Sequence, residues 1–207
     1  SCSLVGSEMC IRDRACKGHL AVPAGKHTGT CPAAGMAVIR GYSGKEAAGI
    51  VIDSRKVEPG DIFVAIRGER VDGHQFIREV FNKGAIAVVC EEEPEELPGP
   101  CIRVEDSLAA LRQIAAFYRE QMPIPIVGIT GSVGKTSTKE FVASVLAQKY
   151  KTHKTQGNFN NEIGVPLTLL AMPEDTEAAV VEMGINHFGE MHRLSEMVKP
   201  DTVSYTH

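Results

Sequence analysis

Residues 130–136 read Thr-Gly-Ser-Val-Gly-Lys-Thr, and these types at this spacing suit the binding of a triphosphate. Gly131 and Gly134 let the backbone turn its N–H groups inward around an anion. Lys135 offers a mobile positive charge to the outer phosphates, and the Thr136 hydroxyl suits a magnesium ion. The apolar residues Ile126 and Val127 precede this stretch and a helical pattern follows it, so the order is strand, loop, helix. The start of that helix would add the positive end of its dipole. The strict phosphate-loop pattern asks for glycine where Ile129 stands, and the nearest one upstream is Gly128. The plainer alternative is a glycine-rich turn with a solvated lysine, which the strand–loop–helix order argues against.

Other polar groups lie where they could join this chemistry. Glu182 ends the apolar run Ala178–Val181, at the strand edge where open α/β sheets bind ligands, and a carboxylate there can share magnesium with Thr136. Alone, it would read as a surface glutamate. Asn158, Asn160 and Asn161 form an amide cluster able to donate to a phosphate or a substrate carboxylate, and equally able to make a turn. His187 fits a ligand, a general acid–base or an exposed residue at a helix start. Nearer the N-terminus, Asp53-Ser54-Arg55 and Asp72-Gly73-His74 flank apolar elements. Arg55 suits a diphosphate and Ser54 or His74 a base, while Asp72 would also serve as a helix cap.

The elements that must position these groups follow from hydrophobic periodicity and breakers. Short strands are expected at 50–52, 61–66, 85–90 and 101–104, with a helix over 74–82 and an acidic, proline-broken loop over 91–100. Asp106 is placed to cap a helix reaching Gln121, which Met122-Pro123-Ile124-Pro125 interrupts. After the phosphate loop comes a helix over 135–149, its apolar face expected at Phe141, Val142, Val145 and Leu146. A strand at 152–155, a helix ending at Leu170, the strand 178–181 and a helix over 187–198 complete the alternation. That alternation implies parallel strands with crossover helices. The expected division is a poorly organised arm over 1–35, a small α/β domain over 36–122, and a parallel-sheet phosphate-loop domain over 123–207. Within the arm, Ser1–Arg14 reads as foreign sequence.

Bulk properties narrow the class. The 207 residues are 43% hydrophobic and 23% charged, ordinary values for a globular chain. A net charge of −4 gives no electrostatic case for nucleic acid or an anionic membrane. No apolar run approaches the roughly 20 residues of a membrane span, and the N-terminus has no signal-peptide core, so the expectation is a cytoplasmic protein with no membrane insertion. The six cysteines make no Cys-x-x-Cys pair and read as reduced thiols rather than a zinc site.

Taken together, the loop at 130–136, GNFNNEIGVPLTLL at 157–170, EMGINHFGEM at 182–191 and IDSRKVEPGDIFVAIRGERVDGHQF at 52–76 resemble the Mur ligases of peptidoglycan synthesis. The resemblance spans about 49–202 and is strongest to the branch that adds D-alanyl-D-alanine. It implies ATP-driven ligation with Mg2+: ATP phosphorylates the terminal carboxylate of UDP-N-acetylmuramoyl-tripeptide, and the amine of D-alanyl-D-alanine attacks the acyl phosphate. It further implies nucleotide contacts at Gly131, Ser132, Val133, Gly134, Lys135, Thr136, Ser137, Asn160 and Asn161, and magnesium at Thr136 and Glu182. Catalysis falls to Lys135, Glu182 and His187. Substrate contacts fall to Ser54, Arg55, Asp72, Gly73, His74, Thr155 and Asn158. The expected protein is a monomer. By this resemblance 36–122 is a small α/β nucleotide-sugar domain and 123–207 a truncated parallel-sheet ATPase domain, whose last residues, Ser204–His207, depart from the family's continuation and read as foreign. Such ligases carry a further domain, so the sequence reads as a fragment that does not ligate alone. The alternatives are another Mur ligase, a folylpolyglutamate synthase, or a phosphate-loop module without ligase activity; a GTPase would need Asn-Lys-x-Asp, which does not occur.

Overall fold

The computed structural model describes residues 30–31, 37–40, 47–68, 71–92, 94–96, 98–185 and 189–206. The expected N-terminal arm, with its stretch Ser1–Arg14, lies outside these residues except for Thr30 and Cys31. The chain divides into two compact units, Ser1–Ala110 and Leu111–His207.

The first unit holds β1 (Thr30–Cys31), β2 (Ala37–Arg40), β3 (Ile50–Val51), β4 (Ile62–Val64), α1 (Ile77–Asn82), β5 (Ala87–Cys90) and β6 (Cys101–Arg103). They form one six-stranded sheet in the order β1-β2-β6-β5-β4-β3. The neighbours from β3 to β6 are parallel, as expected, whereas β1–β2 and β2–β6 are antiparallel. β1 and β2 were not expected: runs of two and four residues are too short for a period-two signal. All four residues of β5 are buried, as suits an inner parallel strand covered on both faces. Its core joins Phe63, Ile77, Val80 and Val88. Cys90 and Cys101 lie buried on adjacent strands, their sulfurs 2.6 Å apart. The expected helix over 74–82 opens as a 3-10 turn at Gly73–Phe76, because the Asp72 carboxylate accepts the His74 N–H, and becomes α-helical only at Ile77.

The helix α2 (Ser107–Gln121) is capped by Asp106, whose Oδ1 accepts the Ala109 N–H at 2.8 Å. The boundary between units falls inside α2, ahead of the expected break at 122–123, because Ala115, Tyr118 and Met122 pack into the second unit's core. That unit continues with β7 (Ile126–Gly131), α3 (Lys135–Leu146), β8 (Thr152–Lys154), α4 (Gly164–Leu170), β9 (Ala178–Glu182), α5 (Glu190–Val198) and β10 (Thr202–Thr206). Its sheet is wholly parallel, in the order β10-β7-β9-β8. The register pairs Ile129 with Glu182, so the phosphate loop and the Glu182 carboxylate emerge at the same sheet edge.

Two expectations need correction here. Phe141 and Val145 on α3 are 74% and 72% exposed, while Ala143 and Lys139 are buried. Of the expected face, Val142 and Leu146 do pack, beside Ala143, against Ile129 and Val180 of the sheet. Ser204, Tyr205 and Thr206, set apart as foreign, continue β10 and pair in register with Ile129, Thr130 and Gly131.

Candidate functional site

The strand β7 delivers its last residue, Gly131, straight into the phosphate loop, and α3 begins at Lys135. Gly131 and Gly134 adopt φ of 134° and 77°, a region that side chains with a Cβ avoid. A Cβ at Gly134 would meet nothing within 4 Å, so conformation rather than crowding demands glycine there. Ser132, Val133, Thr136 and Ser137 are exposed around the turn. Lys135 folds back so that Nζ donates to the Gly131 carbonyl at 2.8 Å, which holds the charge over the loop.

Glu182 ends β9 and is 1% exposed, with its carboxylate converged upon from three sides. The Thr136 hydroxyl donates to it at 3.2 and 3.4 Å, and Asn160 Nδ2 donates at 2.8 Å. Lys139 Nζ, equally buried, lies 3.7 Å from Oε2. The Thr136 and Glu182 oxygens are hard donors already within about one cation's reach, which fits Mg2+ chemistry. Bound there, magnesium would supply charge neutralisation of the phosphate oxygens.

The asparagine cluster splits in role. Asn160 faces Glu182, and its own carbonyl accepts the Gly184 N–H at 2.7 Å. Asn161 Oδ1 accepts the N–H groups of Ile163 and Gly164, so it caps the start of α4 and keeps only its amide NH2 for a ligand. Asn158 is exposed. Thr155, expected to touch substrate, is fully buried, and its hydroxyl accepts the Glu182 N–H at 2.9 Å. It lies just past the end of β8, where its own N–H donates to the Val180 carbonyl, and it braces the end of β9 at Glu182. His187 lies outside the described residues.

Lys139 is the residue that sequence reasoning missed. Its signal was its spacing: it stands one helical turn after Lys135 and three residues after Thr136, on the face those residues share. Its Nζ also meets Glu140 at 3.3 Å and donates to the Gly157 carbonyl at 3.2 Å. Hydrogen bonds to Glu140, from Lys154 first and then from Lys139, hold that carboxyl below the usual range.

In the first unit, Asp53, Asp72 and Glu91 follow the carboxyl ends of β3, β4 and β5, so they share one sheet edge. Asp53 makes a two-pronged pair with Arg55, and its carboxyl is held down at about 2 by that guanidinium's hydrogen bond. The Arg55 side chain is 85% exposed. Ser54 is buried, with its carbonyl accepting Lys83 Nζ at 2.8 Å. His74 differs from expectation. Its Nε2 accepts the Glu91 N–H at 2.9 Å, which leaves the ring proton on Nδ1, 2.6 Å from Asp72. Both nitrogens thus have partners within the fold, and the ring braces the edge. The His74 backbone N–H, then the ring, hold Asp72 below the usual carboxylate range. Gly73 is required by close approach, since a Cβ there would lie 2.9 Å from the Ile66 nitrogen.

Strand, glycine loop and helix, with a carboxylate on the neighbouring parallel strand, define the second unit as a phosphate-loop α/β nucleotide-binding fold. Two family models match the chain: "Mur ligase family, catalytic domain" over residues 46–119 and "Mur ligase middle domain" over residues 129–207. The chain belongs to the Mur ligase family. It is 44% identical over 163 residues to the UDP-N-acetylmuramoyl-tripeptide–D-alanyl-D-alanine ligase of Bacillus subtilis, covering 76% of this chain and 35% of that relative. Among solved structures, a MurF from Acinetobacter baumannii superposes with a TM-score of 0.76 at 37% identity, covering 80% of this chain and 38% of the other. The MurF ligase of Thermotoga maritima in complex with ADP has a TM-score of 0.68 at 37% identity, covering 73% and 35%. The chain therefore spans little more than a third of the length of these relatives.

Proposed function

We propose that this chain supplies the nucleotide-sugar and ATP-binding parts of a ligase that joins D-alanyl-D-alanine to UDP-N-acetylmuramoyl-tripeptide. The observation that carries this reading is the meeting of Lys135, Thr136, Asn160 and Glu182 at one sheet edge. The relatives' printed names supply the substrates.

A carboxylate is a poor acylating agent, so the reaction needs a leaving group. The peptide's terminal carboxylate oxygen attacks the γ-phosphorus of ATP, and ADP departs. The amine then attacks the acyl carbon, the C–N bond forms, and inorganic phosphate carries away the C–O electrons. In this reading the N–H groups of the 131–136 loop hold the β- and γ-phosphates, and Lys135 leaves the Gly131 carbonyl to meet them. Thr136 and Glu182 hold Mg2+, and the Asn158–Asn161 loop borders the γ-phosphate. Arg55 meets the uridine diphosphate from the first unit's edge. In this reading His187 has a catalytic role. The protein works as a cytoplasmic monomer. Among the described residues no helix is long and apolar enough to cross a membrane.

Calorimetry of this chain with MgADP, and separately with UDP-N-acetylmuramoyl-tripeptide, tests the reading. Micromolar MgADP binding that Lys135→Ala abolishes is the expected result. Loss of neither ligand in Lys135→Ala and Arg55→Ala would sink it.

A further inference from the structure

Lys139 is a lysine where α3 would ordinarily present an apolar residue to the sheet. Its side chain is 1% exposed, the burial usually reserved for residues such as Ala143 on the same stripe. A buried ammonium is costly unless its partners are fixed, and here they come from three different elements. Glu140 belongs to α3 itself, Glu182 to the end of β9, and the Gly157 carbonyl to the loop that carries Asn158, Asn160 and Asn161. Gly157 is also where that loop turns, at φ 52°. One ammonium therefore touches both the magnesium-side carboxylate and the root of the amide loop. It does so from the helix whose first turn bears Lys135 and Thr136.

We propose that Lys139 is the positioning residue of the phosphate site, holding the Glu182 carboxylate and the 157–161 loop in register with the phosphate loop. This rests on the nucleotide reading above. Lys139 acts through protein groups: its Nζ lies 3.7 Å from Glu182 Oε2, the oxygen the Thr136 hydroxyl also meets at 3.2 Å, and it donates to the Gly157 carbonyl. Without it, Asn160 still bonds Glu182, but the carboxylate loses its cationic support and the loop loses its tie at Gly157. Partners standing behind metal ligands characteristically set metal affinity while leaving the ligands in place. The consequence is a division of labour within one helix. Lys135 governs nucleotide binding as such, and Lys139 governs how well the bound nucleotide recruits magnesium.

The test uses this chain with Lys139→Met, in two arms. In the first, ADP binding is measured by calorimetry across a magnesium titration. Magnesium-free ADP affinity should stay within about two-fold, while the magnesium needed for half-maximal tightening should rise about ten-fold. In the second arm, run without ligand, amide hydrogen exchange at 157–161 should quicken relative to β7 and β9. If Lys139→Met does not fold, the pair Lys139→Met with Glu182→Gln removes both charges. Exchange at 157–161 should still quicken in it, since Gly157 has lost its donor. Unchanged magnesium dependence together with unchanged loop exchange would overturn the proposal, even if the variant melts earlier. If neither the unaltered chain nor Lys135→Ala binds ADP, the nucleotide reading falls instead, and the exchange arm alone decides the role of Lys139.

Discussion

The two units each gather polar groups at the carboxyl ends of parallel strands, yet they hold them differently. In the second unit, Lys139, Glu182 and Thr155 are buried, and each contact is backed by another. In the first, Arg67 pairs with Asp72 and Glu92, and Arg55 with Asp53, largely in solvent. The contrast has a physical meaning. A buried charge cannot fall back on water, so its geometry is rigid and its loss is costly. A solvated pair is worth little to stability, but its partners remain available to a ligand. Under the function proposed above, the first arrangement suits a phosphoryl-transfer edge, where small displacements matter. The second suits an edge that captures a nucleotide sugar.

The strongest way to break this comparison is to cut the buried pair. Lys139→Met should destabilise the chain by about 3–5 kcal/mol, as for removal of one partner of a buried ion pair. Adding Glu182→Gln should recover part of that loss. Chemical denaturation of the single and double variants checks it, and a loss near zero in the single variant would put the second edge in the same category as the first. The first unit is unyielding only in its backbone. Gly73→Ala should cost about 1–3 kcal/mol, since its Cβ would press on the Ile66 main chain. The same denaturation assay reads it, and a neutral outcome would mean that the turn at 73–76 shifts freely.

Arg55→Ala sharpens the contrast from the other side. It should weaken UDP-N-acetylmuramoyl-tripeptide binding about ten-fold, the value of one charged hydrogen bond, while leaving the thermal midpoint in place. A lowered midpoint with unchanged affinity would reverse the assignment. The smallest effect expected concerns His153 on β8, whose Nε2 meets the Thr168 carbonyl at 2.9 Å. Burial pushes its imidazole below the ordinary range, only partly offset by that hydrogen bond. The folded chain thus binds fewer protons than the unfolded one, so stability is full above about pH 6.5 and declines as pH falls below it. His153→Gln should flatten stability between about pH 5 and 7, and a slope unchanged by the substitution would assign it to another group.

Much of the fold was legible before any coordinates. Asp106 capped α2 as its position implied, because capping is a local hydrogen bond between neighbours in sequence. The order of strand, loop and helix at 126–146 is likewise local, and so is the preference for glycine at 131 and 134. Glu182 could be placed at a ligand-binding edge because strand ends can be read from an apolar run and α/β sheets bind at that edge. The short antiparallel strands β1 and β2 escaped, since two to four residues carry too little periodicity to stand apart from loop.

What the chain by itself determined, then, is the set of elements and the groups they could offer, for these rest on spacing, capping and backbone freedom within a few residues. Only the tertiary structure decided which face of α3 is inside, and so made Lys139 a core residue and left Phe141 and Val145 in solvent. It alone buried Thr155 with its hydroxyl accepting the Glu182 N–H, turned the Asn161 side chain to the start of α4, and gave both nitrogens of His74 partners. The reason is the same in each case. A polar side chain takes its role from the partner that satisfies it, and those partners, as with Glu182 for Lys139 or Glu91 for His74, arrive from distant segments through the register of a parallel sheet.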